Sequence, residues 1–244
     1  MGLIDSFVLK VRRAEEPQYR LLKRLIRAIV NPQAPRIPRV LKPIGRFFYE
    51  LHYMAIIVAR SAWTFFYCQP LFQSRCATAG KNLRLAGLPY VDGHLELHVG
   101  DDVSLGGNLT FLSGSVFDRP QLVLKDRCSV GWNTTITVNQ EIVIEEDVMI
   151  SYDCRISDSD GHPRDAQLRA QHKPPDPGEV KPVHIHRYAW IGNGAHIMKG
   201  VTIGEGAIIG ANSVVISDIP AYSVAMGNPA EVYFKNIDRK SRGN

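Results

Sequence analysis

The chain has 244 residues, enough for one large domain or for one domain with an extension, and its 45% hydrophobic residues suffice for a core. The net charge is +5, but twelve Lys and Arg against four Asp and Glu fall in residues 1–60, and the other 184 residues carry 17 against 20. Residues 61–244 are therefore net acidic, and they give no electrostatic support for nucleic-acid binding. No stretch of eighteen residues is free of charge, so a membrane-spanning helix is not required.

Residues 1–80 form a predicted helical extension that is basic and aromatic. The opening MGLIDSFVLKVRR lacks the basic head, apolar middle and cleavage site of a signal peptide, so we expect a cytoplasmic protein. Residues 8–30 place apolar residues at helical spacing among basic ones, which fits either an anionic membrane interface or a helix packed on its own protein. A cluster of prolines then predicts an extended linker.

A second apolar stretch, residues 44–67, contains eight aromatic residues and three charged ones. Arg60 near its middle makes a spanning helix costly. The aromatic residues suit the headgroup boundary of a membrane, but a helix that covers the end of the next domain, or a subunit contact, fits as well. Because two such elements occur together, we favour peripheral membrane contact through residues 1–70, on the cytoplasmic face of the inner membrane.

Residues 81–230 form a repeat domain in which inward aliphatic residues recur every six positions. The first repeats come in short phased runs, separated by corner insertions: Val99, Leu105, Phe111; Leu124, Val130, Ile136; Ile144, Ile150, Ile156. The last run is unbroken: Ile185, Ile191, Ile197, Ile203, Ile209, Val215. A period of six fits neither a helix nor a hairpin meander, but it fits a three-sided prism in which each hexapeptide supplies one short strand and one turn.

Small residues follow most of these aliphatic positions by four, at the corners of the predicted prism. Cys128 and Cys154 occupy such positions, so we interpret them as small core residues rather than catalytic thiols. The largest interruption of the period lies between Ile156 and Ile185, where residues 157–182 leave the prism as a long loop. Insertions in a repeat stack commonly build the binding site, so we predict that this loop is functional. Residues 231–244 are predicted to form a short amphipathic helix and a polar tail.

Three motifs carry a resemblance to a known family: WIGNGAHIMKGVTIGEGAIIGANSVV, the exit IPAYSVAMGNPAEV, and the upstream DSDGHP. The chain resembles the hexapeptide-repeat acyltransferases, in the branch of galactoside, maltose and polysaccharide O-acetyltransferases, over about residues 95–235. The resemblance implies an all-β fold, a left-handed parallel β-helix, with the N-terminal helical extension and the C-terminal helix attached. It also implies a homotrimer.

The resemblance assigns the reaction to the loop. It implies that His162, in the GHP of DSDGHP, is the general base. Asp158 and Asp160 are near enough to orient its imidazole or to bind an acceptor hydroxyl, although both also fit simple loop solvation. Asn133 lies roughly where the sugar acetyltransferases place an acceptor-binding asparagine, and a corner residue in a left-handed turn is the equal alternative.

The resemblance further implies that acetyl-CoA lies in a groove along the prism between subunits. The residues that it assigns to this groove are Trp190, Asn193, Gly194, Ala211, Ile216 and Ser217, although an outward Trp190 fits trimer packing equally well. Ile216 and Ser217 replace the family's usual Thr-Lys pair, and Glu231 and Phe234 replace basic residues after the exit, which weakens the expected contacts to the CoA phosphates.

His184 and His186 alternate around the inward Ile185 and therefore face outward. Two histidines do not make a zinc site, so we interpret them as surface histidines and expect no metal.

Together these patterns predict an acetyl-CoA-dependent O-acetyltransferase that acts on a sugar or polysaccharide precursor, with a sugar or glycan acceptor and no nucleic-acid partner. Two alternatives stay open: a non-catalytic β-helix scaffold at a membrane, and an N-acyltransferase that acts on an amino sugar.

Overall fold

The computed structural model describes residues 2–30 and 36–237, without the side chains of residues 3 and 4. By contacts between residues, the chain divides into two compact units, Met1–Ile57 and Val58–Asn244. The four N-terminal helices are α1 (Leu3–Arg13), α2 (Pro17–Val30), α3 (Lys42–Trp63) and α4 (Gln69–Arg75). The unit boundary thus lies inside α3, whereas the sequence placed the domain boundary at residue 80. Within the described ranges, no helix is both long and apolar enough to span a membrane.

In the first unit, α1 and α2 pack against each other. The rings of Phe7 and Tyr19 meet edge to face with centroids 6.1 Å apart, and the Lys23 ammonium donates a hydrogen bond to the Arg12 carbonyl. The apolar side chains on the far side of α2 remain exposed, with Leu25 at 53% and Ile29 at 78%. Most aromatic side chains of α3 are exposed as well.

The second unit is a three-sided prism of parallel strands. Sheet I contains β1 (Thr78–Ala79), β4 (Glu96–Val99), β7 (Gln121–Leu124), β10 (Glu141–Ile144), β13 (Val183–Ile185) and β16 (Thr202–Ile203). Sheet II contains β2 (Arg84–Leu85), β5 (Ser104–Leu105), β8 (Ser129–Val130), β11 (Met149–Ile150), β14 (Trp190–Ile191), β17 (Ile208–Ile209), β19 (Ser223–Gly227) and β20 (Ala230–Lys235). Sheet III contains β3 (Tyr90–Asp92), β6 (Thr110–Ser113), β9 (Thr135–Val138), β12 (Arg155–Ser157), β15 (His196–Ile197) and β18 (Val214–Val215). From β1 to β18, successive strands go to successive sheets, so three strands make one coil.

The core consists of stacked columns of the predicted aliphatic residues. In sheet I, Ile144 pairs with Ile185, which pairs with Ile203 on the next coil, and all three are fully buried. Cys128 and Cys154 are also fully buried, as predicted for small core residues. The six-residue period therefore aligns the core residues of successive coils, because each coil places equivalent side chains above one another.

The end of α3 and the residues after it pack on the first coil. Phe72 in α4 is 1% exposed and joins the core. The Gln69 amide donates to the Leu83 carbonyl at 2.8 Å, and the Arg60 guanidinium donates to the Ala86 carbonyl at 2.6 Å. The interpretation in which this segment covers the domain therefore holds for residues 58–75.

The predicted C-terminal helix is wrong over residues 231–235, which belong to β20 (Ala230–Lys235). This strand pairs antiparallel with β19 and ends sheet II. The apolar residues Val232 and Phe234 alternate in a way that fits a strand once β19 supplies a partner edge. Residues 238–244 lie outside the described part of the chain.

Candidate active site

The loop 157–182 is an ordered excursion between β12 in sheet III and β13 in sheet I. It contains a short helix, α5 (Ala166–Ala170), and a 3₁₀ turn, Pro177–Glu179. Asp165 caps α5 by accepting hydrogen bonds from the Gln167 and Leu168 amides at 2.7 and 3.0 Å. These local caps satisfy backbone donors that a loop leaves open.

Asp160 joins the loop to the prism. Its carboxylate lies 2.6 Å from the ammonium of Lys199, which follows β15, and 4.0 Å from the guanidinium of Arg164. Arg164 also lies 3.6 Å from Glu179. Lys199 was not singled out in the sequence, since 39 residues separate it from Asp160 and no local pattern links the two.

His162 lies two residues after this ion pair and is exposed. Among the described residues its imidazole has no hydrogen-bond partner, so both ring nitrogens are available to a substrate. Gly161 before it has φ of 79°, a conformation that glycine adopts readily, and Pro163 after it is buried. The buried proline and the Asp160 ion pair thus hold the backbone on both sides of an outward imidazole.

Asp158 does not fit the substrate-binding role predicted for it. Its side chain is fully buried, and its carboxylate accepts hydrogen bonds from the backbone amides of Asn139, Gln140 and Glu141 at 2.6 to 3.0 Å. Burial raises the pKa of Asp158, and these three amides oppose that rise. The residue caps the corner insertion of the preceding coil, because three successive amides there lack other acceptors.

Asn133 occupies a corner in the left-handed conformation, with φ of 58°. Its side chain belongs to a ladder: the Asn108 amide donates to Asn133 at 3.3 Å, and the Asn133 amide donates to Asp153 at 3.1 Å. Asn133 thus adopts the left-handed corner turn of the structural alternative, and its contact with an acceptor stays a prediction. Gly194 occupies the same column of corners two coils above Asn133, with φ of 69°.

An open groove with a volume of about 690 Å³ runs along the outer face of sheet II. Trp190 and Asn193 line it, together with Trp132, Tyr152 and Met149 among others. The Trp190 indole donates to the Ser151 hydroxyl at 3.2 Å, which fixes the ring at the groove. Two of the six predicted cofactor residues therefore lie together on one concave surface.

The remaining predicted cofactor residues lie elsewhere. The backbone N–H of Gly194 donates to the Tyr152 carbonyl at 2.9 Å. The backbone N–H of Asn193 has no partner among the described residues. Ala211, Ile216 and Ser217 are exposed on the last complete coil and the segment that follows it, and do not line the groove. Among the described residues of this single chain, no hydrogen bond, ion pair or ring contact joins His162 to any of the six.

The buried cysteines are poor nucleophiles. Burial raises the pKa of Cys128 to about 12, and it also raises the pKa of Cys154. A thiol attacks as its thiolate, which these sites disfavour.

Comparison with known proteins places the repeats in a family. Residues 182–217 match the profile described as "Bacterial transferase hexapeptide (six repeats)". Residues 182–217 therefore carry the hexapeptide repeats of this profile. The predicted left-handed parallel β-helix class is confirmed by the three sheets of parallel strands and by this match.

Two curated relatives of this chain are named acetyltransferases. A putative acetyltransferase of Staphylococcus aureus is 52% identical over 54 residues, which is 22% of this chain and 27% of the relative. A probable acetyltransferase of Mycobacterium tuberculosis is 30% identical over 154 residues, which is 63% of this chain and 48% of the relative. The chain thus spans about half or less of the length of these relatives.

A solved structure shares the fold. The N-acyltransferase AntD of Bacillus cereus, in complex with dTDP and 3-hydroxybutyryl-CoA, superposes with a TM-score of 0.56 at 16% identity, and the match covers 72% of this chain and 93% of AntD. At this identity the similarity concerns the architecture of the chain and not its substrate.

Proposed function

We propose that this chain is an O-acetyltransferase that transfers acetyl from acetyl-CoA to a hydroxyl of a sugar or polysaccharide precursor, with His162 as general base. The observation that carries the proposal is the exposed imidazole of His162, which has no partner in the described chain and is flanked by the Asp160–Lys199 ion pair and the buried Pro163. A base must offer a free nitrogen to the hydroxyl that it deprotonates, and this histidine does.

In the proposed reaction, a ring nitrogen of His162 accepts the proton of the acceptor hydroxyl while its oxygen attacks the thioester carbonyl carbon. The carbon–sulfur bond then breaks, and the imidazolium gives its proton to the departing sulfur. The products are an acetyl ester and the free thiol of CoA. The backbone amide of Asn193, which has no partner among the residues that the structure describes, is our candidate donor for the negative charge on the carbonyl oxygen.

We assign the CoA arm to the groove of sheet II. Trp190 and Asn193 lie in it, and its mixture of apolar and polar groups suits a pantetheine chain. His162 lies on a different part of the coil, so we further propose a homotrimer in which the loop of one subunit faces the groove of another. Ala211, Ile216 and Ser217 remain proposed contacts of the outer part of the cofactor.

The test is acetyl transfer by the full chain and by His162→Gln, with His172→Gln as a matched control in the same loop. Acceptors include glycans with free hydroxyls and amino sugars, and the mass of each product is measured. We expect His162→Gln to lower turnover by about 10²-fold or more while CoA binding, measured by calorimetry, is unchanged.

Near-normal turnover in His162→Gln would overturn the mechanism. Absence of CoA binding at millimolar concentration would instead favour the non-catalytic scaffold, and transfer confined to amino sugars would favour N-acylation.

We also propose that the first unit contacts an anionic lipid surface. The exposed Leu21, Leu25 and Ile29 lie on a helix that carries four basic residues, which is the charge and apolar pattern of an interfacial helix.

We expect the chain to sediment with vesicles containing phosphatidylglycerol and not with neutral phosphatidylcholine vesicles. The double variant Leu25→Asp/Ile29→Asp should remain in the supernatant, whereas Leu168→Asp, an exposed leucine of the second unit, should behave as the parent. A parent chain that stays in the supernatant with anionic vesicles would refute the proposal.

A further inference from the structure

Three side chains that can bind a metal meet on the outer face of sheet I, where the loop 157–182 rejoins the prism. His184 lies in β13, and His186 directly follows this strand. Glu145 directly follows β10, the neighbouring strand in sheet I. Parallel pairing of β10 with β13 brings the carboxylate to the histidines, although 39 residues separate Glu145 from His184.

The geometry of the cluster is compact. Glu145 Oε1 lies 3.0 Å from His184 Nε2, and Glu145 Oε2 lies 3.2 Å from His186 Nδ1. The two imidazole rings stack with centroids 4.2 Å apart and planes inclined by 19°. One ligand atom from each residue can be chosen so that all three lie within 4.8 Å of one another.

We propose that Glu145, His184 and His186 form a binding site for a divalent transition metal, with zinc as the best match. Two imidazole nitrogens and one carboxylate oxygen are a zinc ligand set that leaves a fourth position open. Ligand atoms around tetrahedral zinc are separated by about 3.3 Å. The distances from the Glu145 oxygens to His184 Nε2 and His186 Nδ1, 3.0 and 3.2 Å, are close to this value. The histidine side chains are 40% and 37% exposed, so small rotations are open to them.

Two cationic side chains, those of Lys125 and Arg187, lie near the proposed metal site, but each also pairs with a carboxylate outside it. Lys125 lies 3.4 Å from Glu145, but it also contacts Glu146 at 3.6 Å and has that carboxylate as a second partner. The guanidinium of Arg187 is paired with Glu205 at 3.1 Å, while its backbone amide donates to Glu145 Oε2 at 3.0 Å. Both nearby cations therefore have a carboxylate other than Glu145.

A metal at this position would connect two successive coils. β10 and β13 belong to neighbouring coils, and residues 157–182 interrupt the chain just before β13. Bound zinc would hold the re-entry strand against the preceding coil, and it would stabilise the folded chain in proportion to the logarithm of its concentration above the dissociation constant. This role is independent of the proposed acyl transfer.

The experiment uses the full chain, freed of metal by chelation and dialysis and then titrated with Co²⁺ and with Zn²⁺. We expect one equivalent of Co²⁺ to give the visible absorption of a tetrahedral site, Zn²⁺ to displace it, and the midpoint of thermal unfolding to rise with Zn²⁺ concentration. His186→Ala should weaken Zn²⁺ binding by about 10²-fold. The matched control is His98→Ala, which removes another half-buried histidine from the outer face of sheet I.

The proposal is overturned if the parent binds less than about half an equivalent, or if His186→Ala binds as tightly as the parent. It is also overturned if His98→Ala loses as much affinity. Should His186→Ala fail to fold, nitrogen NMR of the parent decides: Zn²⁺ must shift the ring nitrogens of His184 and His186 and leave those of His98 in place, and any other pattern refutes the site.

Discussion

The ammonium of Lys199 lies 2.6 Å from the carboxylate of Asp160, and the Lys199 side chain is only 11% exposed. This pair connects the loop 157–182 to the segment between β15 and β16. Because Lys199 is largely shielded from water, the attraction is screened less than in an exposed ion pair. The loop is therefore held to the prism two residues before His162.

We expect Lys199→Met to release the loop. The substitution keeps the apolar length of the side chain and removes the charge that holds Asp160. Trypsin should then cleave after Arg164 and Arg169 about tenfold faster than in the parent, because cleavage of a native chain follows the population of the open loop. Lys181→Met, in the same loop and exposed, serves as the control. Equal cleavage rates in the parent and in Lys199→Met would show that the ion pair does not hold the loop.

Asp158→Ala should destabilise the prism. The substitution removes the acceptor of the Asn139, Gln140 and Glu141 amides, and buried donors without a partner cost about 1–3 kcal/mol each, less where water enters. We expect a loss of about 2–4 kcal/mol in the free energy of unfolding, measured with urea. Asp118→Ala, at an exposed site outside the ion pairs described above, should cost less than about 1 kcal/mol. A similar loss for the two variants would contradict the role given to Asp158.

Gly204→Ala should be far more disruptive than Gly87→Ala. A β-carbon at Gly204 would lie 2.3 Å from the backbone nitrogen of Ala221 on the next coil, whereas one at Gly87 would have its nearest neighbour at 3.8 Å. The backbone of Ala221 cannot rotate away as a side chain can, so we expect a loss of about 1–3 kcal/mol at Gly204 and almost none at Gly87. Denaturant unfolding of both variants provides the measurement, and equal midpoints would be the contrary result.

The carboxyl of Asp165 should titrate below its ordinary range. The amides of Leu168 and Gln167 donate to it and lower its pKa. A carboxyl whose folded pKa is depressed contributes its cap fully above the unfolded value of about 3.9 and loses it as the pH falls through the folded pKa. Carbon NMR of the Asp165 carboxyl in the native chain should give a midpoint below that of the same carboxyl in urea. A native midpoint at or above the urea value would contradict the cap.

The repeat architecture was predictable because the six-residue period is written directly into neighbouring positions. Ile185, Ile191 and Ile197 are spaced in the sequence as they are in the coil, and each meets its counterpart one coil away. The long loop was predictable for the same reason, since it breaks that period. The antiparallel strand β20 was not predictable from the sequence. A short amphipathic segment fits a helix or a strand, and only a neighbouring strand edge decides between them.

Contacts between coils explain the other differences. Asp158 was predicted to contact substrate from its position near His162, but its partners at residues 139–141 come from the preceding coil. Glu145 escaped attention for the same reason, since it joins His184 and His186 only through the pairing of β10 with β13. Local spacing shows which face a side chain occupies, and the number of residues in each intervening coil decides what lies beside it.

The antiparallel strand β20 occupies the edge of sheet II at which a further parallel coil would be added. A further coil would have to place a parallel strand against β19, and the reversed strand already occupies that edge. A parallel coil can therefore not be added to sheet II directly after β19. The hairpin of β19 and β20 thus ends the parallel repeat in sheet II.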